Sequence, residues 1–170
     1  MKEILFSLGV FFGLIAGFDD PSINALIIRD NTHLILSASI ENSDHEKIRE
    51  MVDSGNLLKL TLEIILKKHG TIRYVHEIAY DPILKEYKIK QSETASSYLT
   101  KNPGAAFLLW TQFDRLGLWP EAEVLMGPLI FVIIAELDLS EPSDADPRVL
   151  WNYVSPQKII RYNSLKEVSY

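Results

Sequence analysis

The strongest constraint on what this 170-residue chain can fold into is the strict alternation that runs from Asn56 to Lys67. Leu58, Leu60, Leu62, Ile64 and Leu66 alternate there with Lys59, Thr61, Glu63 and Lys67. A helix brings a side chain back to the same face every three or four residues, whereas a strand sends successive side chains to opposite faces. The period is two, so the segment is a strand with a buried face and a wet one. A strand of this kind is stable only inside a larger sheet with apolar cover.

The flanking segments supply both. Between Ala25 and Ile40 two apolar runs, ALIIRD and HLILSASI, are separated by Asn31 and Thr32 and predict a hairpin. Leu34, Leu36, Ala38 and Ile40 form its buried face. In SDHEKIREMVDSG, Ser43 and Glu46 match a capping box, Ile48, Met51 and Val52 share one face, and Gly55 supplies a stop, which predicts a short amphipathic helix. After Gly70, TIRYVHEIAY and LKEYKIKQ extend the central strand into a three-stranded meander. From Asn102 to Gly117 the spacing turns helical: Asn102 caps, Pro103 suits the first turn, Phe107, Leu108, Phe113 and Leu116 share a face, and Gly117 ends it. LWPEAEVLMG then reads as a loop, Pro128–Leu139 as a central strand, Asp138–Asp146 as an acidic break, and Val149–Ser164 as a last strand that docks through Trp151. The expected fold is α+β, mainly antiparallel β, with about seven strands in a sandwich-like or open-barrel sheet and two helices.

Residues Ile4–Gly17 form an uninterrupted apolar run preceded by Lys2 and followed by Asp19 and Asp20. Crossing a bilayer takes about 20 apolar residues, so a run this short reads as a secretory leader. Glu3 and the bulky Leu14 and Ile15 depart from the cleavage pattern, which leaves an uncleaved N-terminal anchor or a buried helix as alternatives. The expected organisation is a signal peptide or anchor over 1–17 and one β-rich domain over 25–170, in a periplasmic or otherwise exported protein, with a tether to the inner membrane if the leader stays attached.

The formal net charge of −6 argues against a nucleic-acid surface. The absence of cysteine excludes disulfides, thiolate zinc sites, cysteine nucleophiles and an N-terminal lipid-modified cysteine. The phosphate-binding, nucleophile-elbow and zinc-protease signatures are missing, so no catalytic residue, cofactor or metal is assigned. His69 and His76 fall on adjoining strands near a turn and could approach each other, but histidines of a hairpin are more often plain surface residues. Asp138, Glu141, Asp144 and Asp146 lack the spacing of a calcium loop and read as a solvated stretch. Trp119, Trp110 and Trp151 are the candidate partner contacts, each weighed against a role in the core, with Trp119 placed on a loop between Gly117 and Pro120.

Tyr80-Asp81 followed by Tyr87, the helix end DSGNLLKLTLEI, and the late pair LDLSEP and LWNYVSP together resemble an uncharacterised bacterial exported family, over about Ala25 to Ile160. The resemblance implies a periplasmic, β-rich protein with a leader, some members lying beside genes for membrane sensor kinases, and no catalytic residues to carry over. The expected function is that of a non-enzymatic envelope module binding another envelope or membrane protein, such as a membrane sensor or an assembly complex. A periplasmic carrier of an apolar ligand is the alternative, and a hydrolase a third.

Overall fold

The computed structural model describes residues 20–30, 33–67, 69–120, 128–140, 146–151 and 155–162. The leader expected over 1–17, the turn expected at Asn31 and Thr32 and the acidic positions Glu141 and Asp144 lie outside them.

Strands β1 (Ser22–Asp30) and β2 (His33–Glu41) form the expected hairpin, with Asp30 opposite His33 and Ser22 opposite Glu41. Helix α1 (His45–Asp53) buries Ile48 and Val52. Its cap is Asp44, one residue later than the capping box predicts, and the Asp44 carboxylate accepts the Lys47 N–H at 3.1 Å. That bond, together with the Lys47 ammonium, holds the Asp44 carboxyl below its usual value. Gly55 ends the helix at φ +97°, a conformation that a residue with a Cβ adopts only under strain.

The meander follows as β3 (Leu58–Leu66), β4 (Gly70–Asp81) and β5 (Glu86–Gln91), and a further strand that the sequence reading missed, β6 (Ser96–Thr100), adds to it. Helix α2 (Pro103–Thr111) leads directly into β7 (Gln112–Pro120). Then come β8 (Leu129–Leu139), a 3-10 turn over Pro147–Trp151, and β9 (Gln157–Tyr162). The described strands form two sheets, β1-β2-β7 and β6-β5-β4-β3-β8-β9, with every pairing antiparallel. The class is α+β, mostly antiparallel β, sandwich-like rather than a closed barrel.

The helix expected over Asn102–Gly117 is corrected: its second half is a strand. Asp114 and Arg115 together stand opposite Ser37, because Leu116 pairs with Leu36 and Phe113 with Ala38. This bulge places Phe113 and Leu116, three residues apart, on the same buried face, so a strand acquires the spacing of a helix. Arg115 takes the left-handed conformation there at φ 51°, which costs a non-glycine residue about 1 kcal/mol or more. Local bonds offset that cost. The Ser37 hydroxyl donates to Asp114 Oδ1 at 3.0 Å, and the Arg115 guanidinium reaches Asp30 Oδ2 at 2.6 Å.

Strict register fixes the faces of the larger sheet. Leu60 stands between His76 on β4 and Leu137 on β8, so even positions of β3 and β4 and odd positions of β5 and β8 point inward. All five even positions of β3 are buried, as the alternation requires. They join side chains of both sheets and both helices in one apolar cluster that includes Leu34, Leu36, Phe113, Leu116, Phe131 and Ile133. The outer face carries an alternating row of charges across four strands: Lys90 opposite Glu77, Glu77 opposite Lys59, and Lys59 opposite Asp138.

Candidate functional site

The one ionisable side chain fully withdrawn from solvent among the described residues is His76, on the inner face of β4. Its ring stacks on Phe113 at 3.9 Å between centroids. Nδ1 lies 2.8 Å from the Trp110 carbonyl oxygen and Nε2 lies 2.7 Å from Glu93 Oε1. A carbonyl only accepts, so Nδ1 carries a proton and donates it. Nε2 and the carboxyl oxygen then share one further proton, since two bare lone pairs would repel at that distance. The result is a hydrogen-bonded pair with His76 fully buried and Glu93 largely so, Glu93 Oε2 having no hydrogen-bond partner among the described residues.

Three neighbours complete the cluster. The Trp110 indole N–H returns a bond to the His76 carbonyl at 3.2 Å, so residues 76 and 110 clasp each other in both directions. Gln91, opposite His76 in the register, donates its side-chain N–H to the Leu109 carbonyl at 2.9 Å. The Tyr74 hydroxyl donates to the Gly117 carbonyl on β7. Burial first, and then the nearby Glu93 charge, raise the Tyr74 hydroxyl above its ordinary value.

The local sequence explains why these polar groups gather here. The last four carbonyls of a helix have no partner within it. Chain entry into β7 satisfies Leu108, whose carbonyl accepts the Gln112 N–H. Leu109 and Trp110 cannot turn to water, because α2 is packed against β4 and β5. Two donors from the sheet, Gln91 and His76, therefore reach them from below. The Nδ1–H donor at that end also meets the negative end of the helix dipole. The arrangement is that of a helix cap built into a sheet, with Nδ1 of His76 as one of its donors and Nε2 turned to Glu93 instead.

A second polar contact ties α1 to the same half of the sheet: the Tyr87 hydroxyl donates to Asp53 Oδ1 at 2.8 Å. Burial and that carboxylate push the Tyr87 hydroxyl up to about 12.

Of the sequence candidates, His69 and His76 are not brought together. His69 is exposed at the β3–β4 turn, and His76 lies six residues along β4 from Gly70, about 20 Å away at strand rise. The reading of His76 as a surface residue is corrected as well, for β4 turns it inward. Trp110 and Trp151, expected as partner contacts, are buried in the apolar cluster and present no surface. Trp119 is half-buried on β7 rather than on a loop, its ring tilted against Phe131 at 6.3 Å. Asp146 is engaged by the Arg148 guanidinium through both carboxylate oxygens, which holds its carboxyl below the usual value. Among the described residues no group of three or more His, Cys, Asp or Glu side chains is placed to hold a metal ion, and no helix is long and apolar enough to cross a membrane.

The sequence reading missed β6 and the residues around it. Ser96–Thr100 is short and lacks the apolar alternation that marks β3, and its one signal is the uncharged stretch between Glu93 and Lys101. Comparison with protein-family models, with curated proteins and with solved structures finds no match for this chain.

Proposed function

We propose that this chain is a non-enzymatic, exported binding module of the bacterial cell envelope, acting through contact with another envelope or membrane protein. Export is supported by the apolar run Ile4–Gly17 behind Lys2. Binding is supported by one observation above the others: large apolar side chains stand exposed on and around β6, on both faces of that edge, as others do on β1, β8 and β9. Leu99 on β6 is 62% exposed, Tyr98 beside it 36%, Ile83 and Leu84 in the β4–β5 turn 88% and 56%, and Leu108 on α2 60%. Exposed apolar surface loses free energy to water and recovers it when covered.

Crosslinking in intact cells, followed by purification of the chain, tests the proposal. The expected result is an envelope protein joined to it; recovery of the chain alone contradicts binding. The N-terminal mass of the protein isolated from its own envelope tests the exported state. A start near residue 18 marks a cleaved leader, and an intact Met1 in the membrane fraction marks an anchor.

A further inference from the structure

We infer that β6 is a docking edge for an extended partner segment in which acidic and apolar side chains alternate, an inference that rests on the binding-module reading. The two sheets leave four edge strands, β1, β7, β6 and β9. Natural sheets protect such edges with charge, proline, bulges or cover, since free backbone groups recruit other strands. β7 carries the bulge at Arg115, and Tyr74 bonds the Gly117 carbonyl on it. β1 ends in Arg29 and Asp30 and runs close to β9, which itself carries Lys158 and Arg161. β6 is different. α2 touches it, but its five residues, SSYLT, hold no charge, proline or bulge, and pair residue for residue with β5 from Gln91–Ser96 to Tyr87–Thr100. No described strand pairs with its other side.

An edge of this form takes an added strand, whose backbone supplies the bonds and whose alternate side chains supply selectivity. On the inner face the newcomer meets Tyr98, which stands opposite the buried Ile89 and favours an apolar residue. On the outer face it meets Leu99 and Ser97, with Lys88 and Lys90 opposite them one strand further in. Lys90 has Glu77 at 3.5 Å, whereas Lys88 stands between Leu99 and Ala79 and has no ion pair among the described residues. Lys101 directly follows β6, and Lys85 lies in the adjoining turn. The carboxylates nearby are Glu77, Glu86, Asp81 and, in the β5–β6 turn, Glu93; Asp81 already accepts the N–H groups of Ile83 and Leu84, and Glu93 is bonded to His76. Lys88 lies about 10 Å from an added strand, two inter-strand spacings, which a glutamate and a lysine extended toward each other can span.

A second copy of the chain fits less well. Antiparallel pairing of β6 with itself would set Lys88 and Lys101 of both copies across one junction, and the chains carry a net charge of −6 each. Acidic outward residues turn the same lysines from a repulsive element into an attractive one.

The test uses the full chain with short fluorescent peptides of alternating Val-Glu, Val-Lys and Val-Ser, read by anisotropy, and with amide hydrogen exchange on the complex. The Val-Glu peptide is expected to bind at least about tenfold tighter than Val-Lys, to weaken with salt, and to slow exchange across Ser96–Thr100. Lys88→Glu is expected to reverse the preference, and Leu99→Glu, a second exposed substitution, to weaken Val-Glu binding. Equal affinity for the three peptides, protection outside β6, or a concentration-dependent dimer that protects the same amides without peptide overturns the inference. Its failure is separable from failure of the module reading. Envelope crosslinking that survives Lys88→Glu and Leu99→Glu undiminished keeps the module and removes this site, whereas crosslinking that recovers no envelope protein removes the module.

Discussion

The inner face of the larger sheet has two halves built on different terms. The half formed by β3 and β8 presents Leu60, Leu62, Ile64, Phe131, Ile133 and Ala135, all buried and all apolar. The half formed by β4 and β5 presents Tyr74, His76, Tyr87 and Gln91, each spending a polar atom on a partner above the sheet. The cover explains the contrast. A strand inside a sheet satisfies its own backbone and needs only apolar contact, whereas a helix laid on a sheet brings unpaired end carbonyls with it. Two of these polar residues, His76 and Gln91, mark where a helix ends, while Tyr74 reaches the strand β7 and Tyr87 a carboxylate of α1.

The comparison can be broken first in the dry half. Leu62→Ala is expected to cost about 3–4 kcal/mol in urea unfolding, independent of pH, as lost transfer energy and a residual cavity. In the wet half, His76→Leu is expected to cost about 2–4 kcal/mol, because it leaves the Trp110 carbonyl and the Glu93 carboxylate buried without a donor. The two halves part company in the double variant. Adding Glu93→Leu to His76→Leu is expected to restore about half of that loss, since the orphaned charge is removed with its partner. A double variant that sums the two single losses would show that packing alone, and not pairing, governs the seam.

The Tyr87 hydroxyl sharpens the same contrast through pH. Its ordinary value is 10.0 and its folded value about 12, so between those limits the folded state holds a proton that the unfolded state has released. Stability from this group is complete below pH 10 and falls as pH rises through the window, by about 2–3 kcal/mol in all. Tyr87→Phe is expected to remove that alkaline slope while Leu62→Ala retains it, as followed by denaturant midpoints across the window. The cap of α1 is a smaller effect: Asp44→Ala is expected to cost about 1 kcal/mol near neutrality, a loss that narrows as the wild-type carboxylate takes up its proton in acid.

What the sequence made legible follows the same division. β3 is readable because each of its inward positions meets an apolar surface, so periodicity and burial coincide. The hairpin β1–β2, the helix α1 and the strand β8 were legible for the same reason. β7 was not, because its bulge at Asp114 and Arg115 gives Phe113 and Leu116 a helical spacing, and only pairing with β2 distinguishes the two structures. His76 looked like a surface residue because its partners, Trp110 and Glu93, are remote in sequence and become neighbours only when α2 folds over β4. Trp110 and Trp151 could be read either as contacts or as core because aromatic residues serve cores and interfaces equally well, and composition does not separate these uses. β6 escaped notice because an edge strand with one open side carries little apolar signal.

These contrasts reduce to one proposed division of labour: the seam beneath α2 holds the fold, and the β6 edge is the proposed docking site. The most direct test is a paired titration of His76→Gln and Lys88→Glu, recording unfolding free energy and affinity for the Val-Glu peptide on each. His76→Gln is expected to lose about 1–3 kcal/mol of stability and, while folded, to bind within about twofold of the parent chain. Lys88→Glu is expected to keep its stability within about 0.5 kcal/mol and to lose about tenfold in affinity. A folded His76→Gln chain that loses the peptide, beside a Lys88→Glu chain that keeps it, would contradict the account.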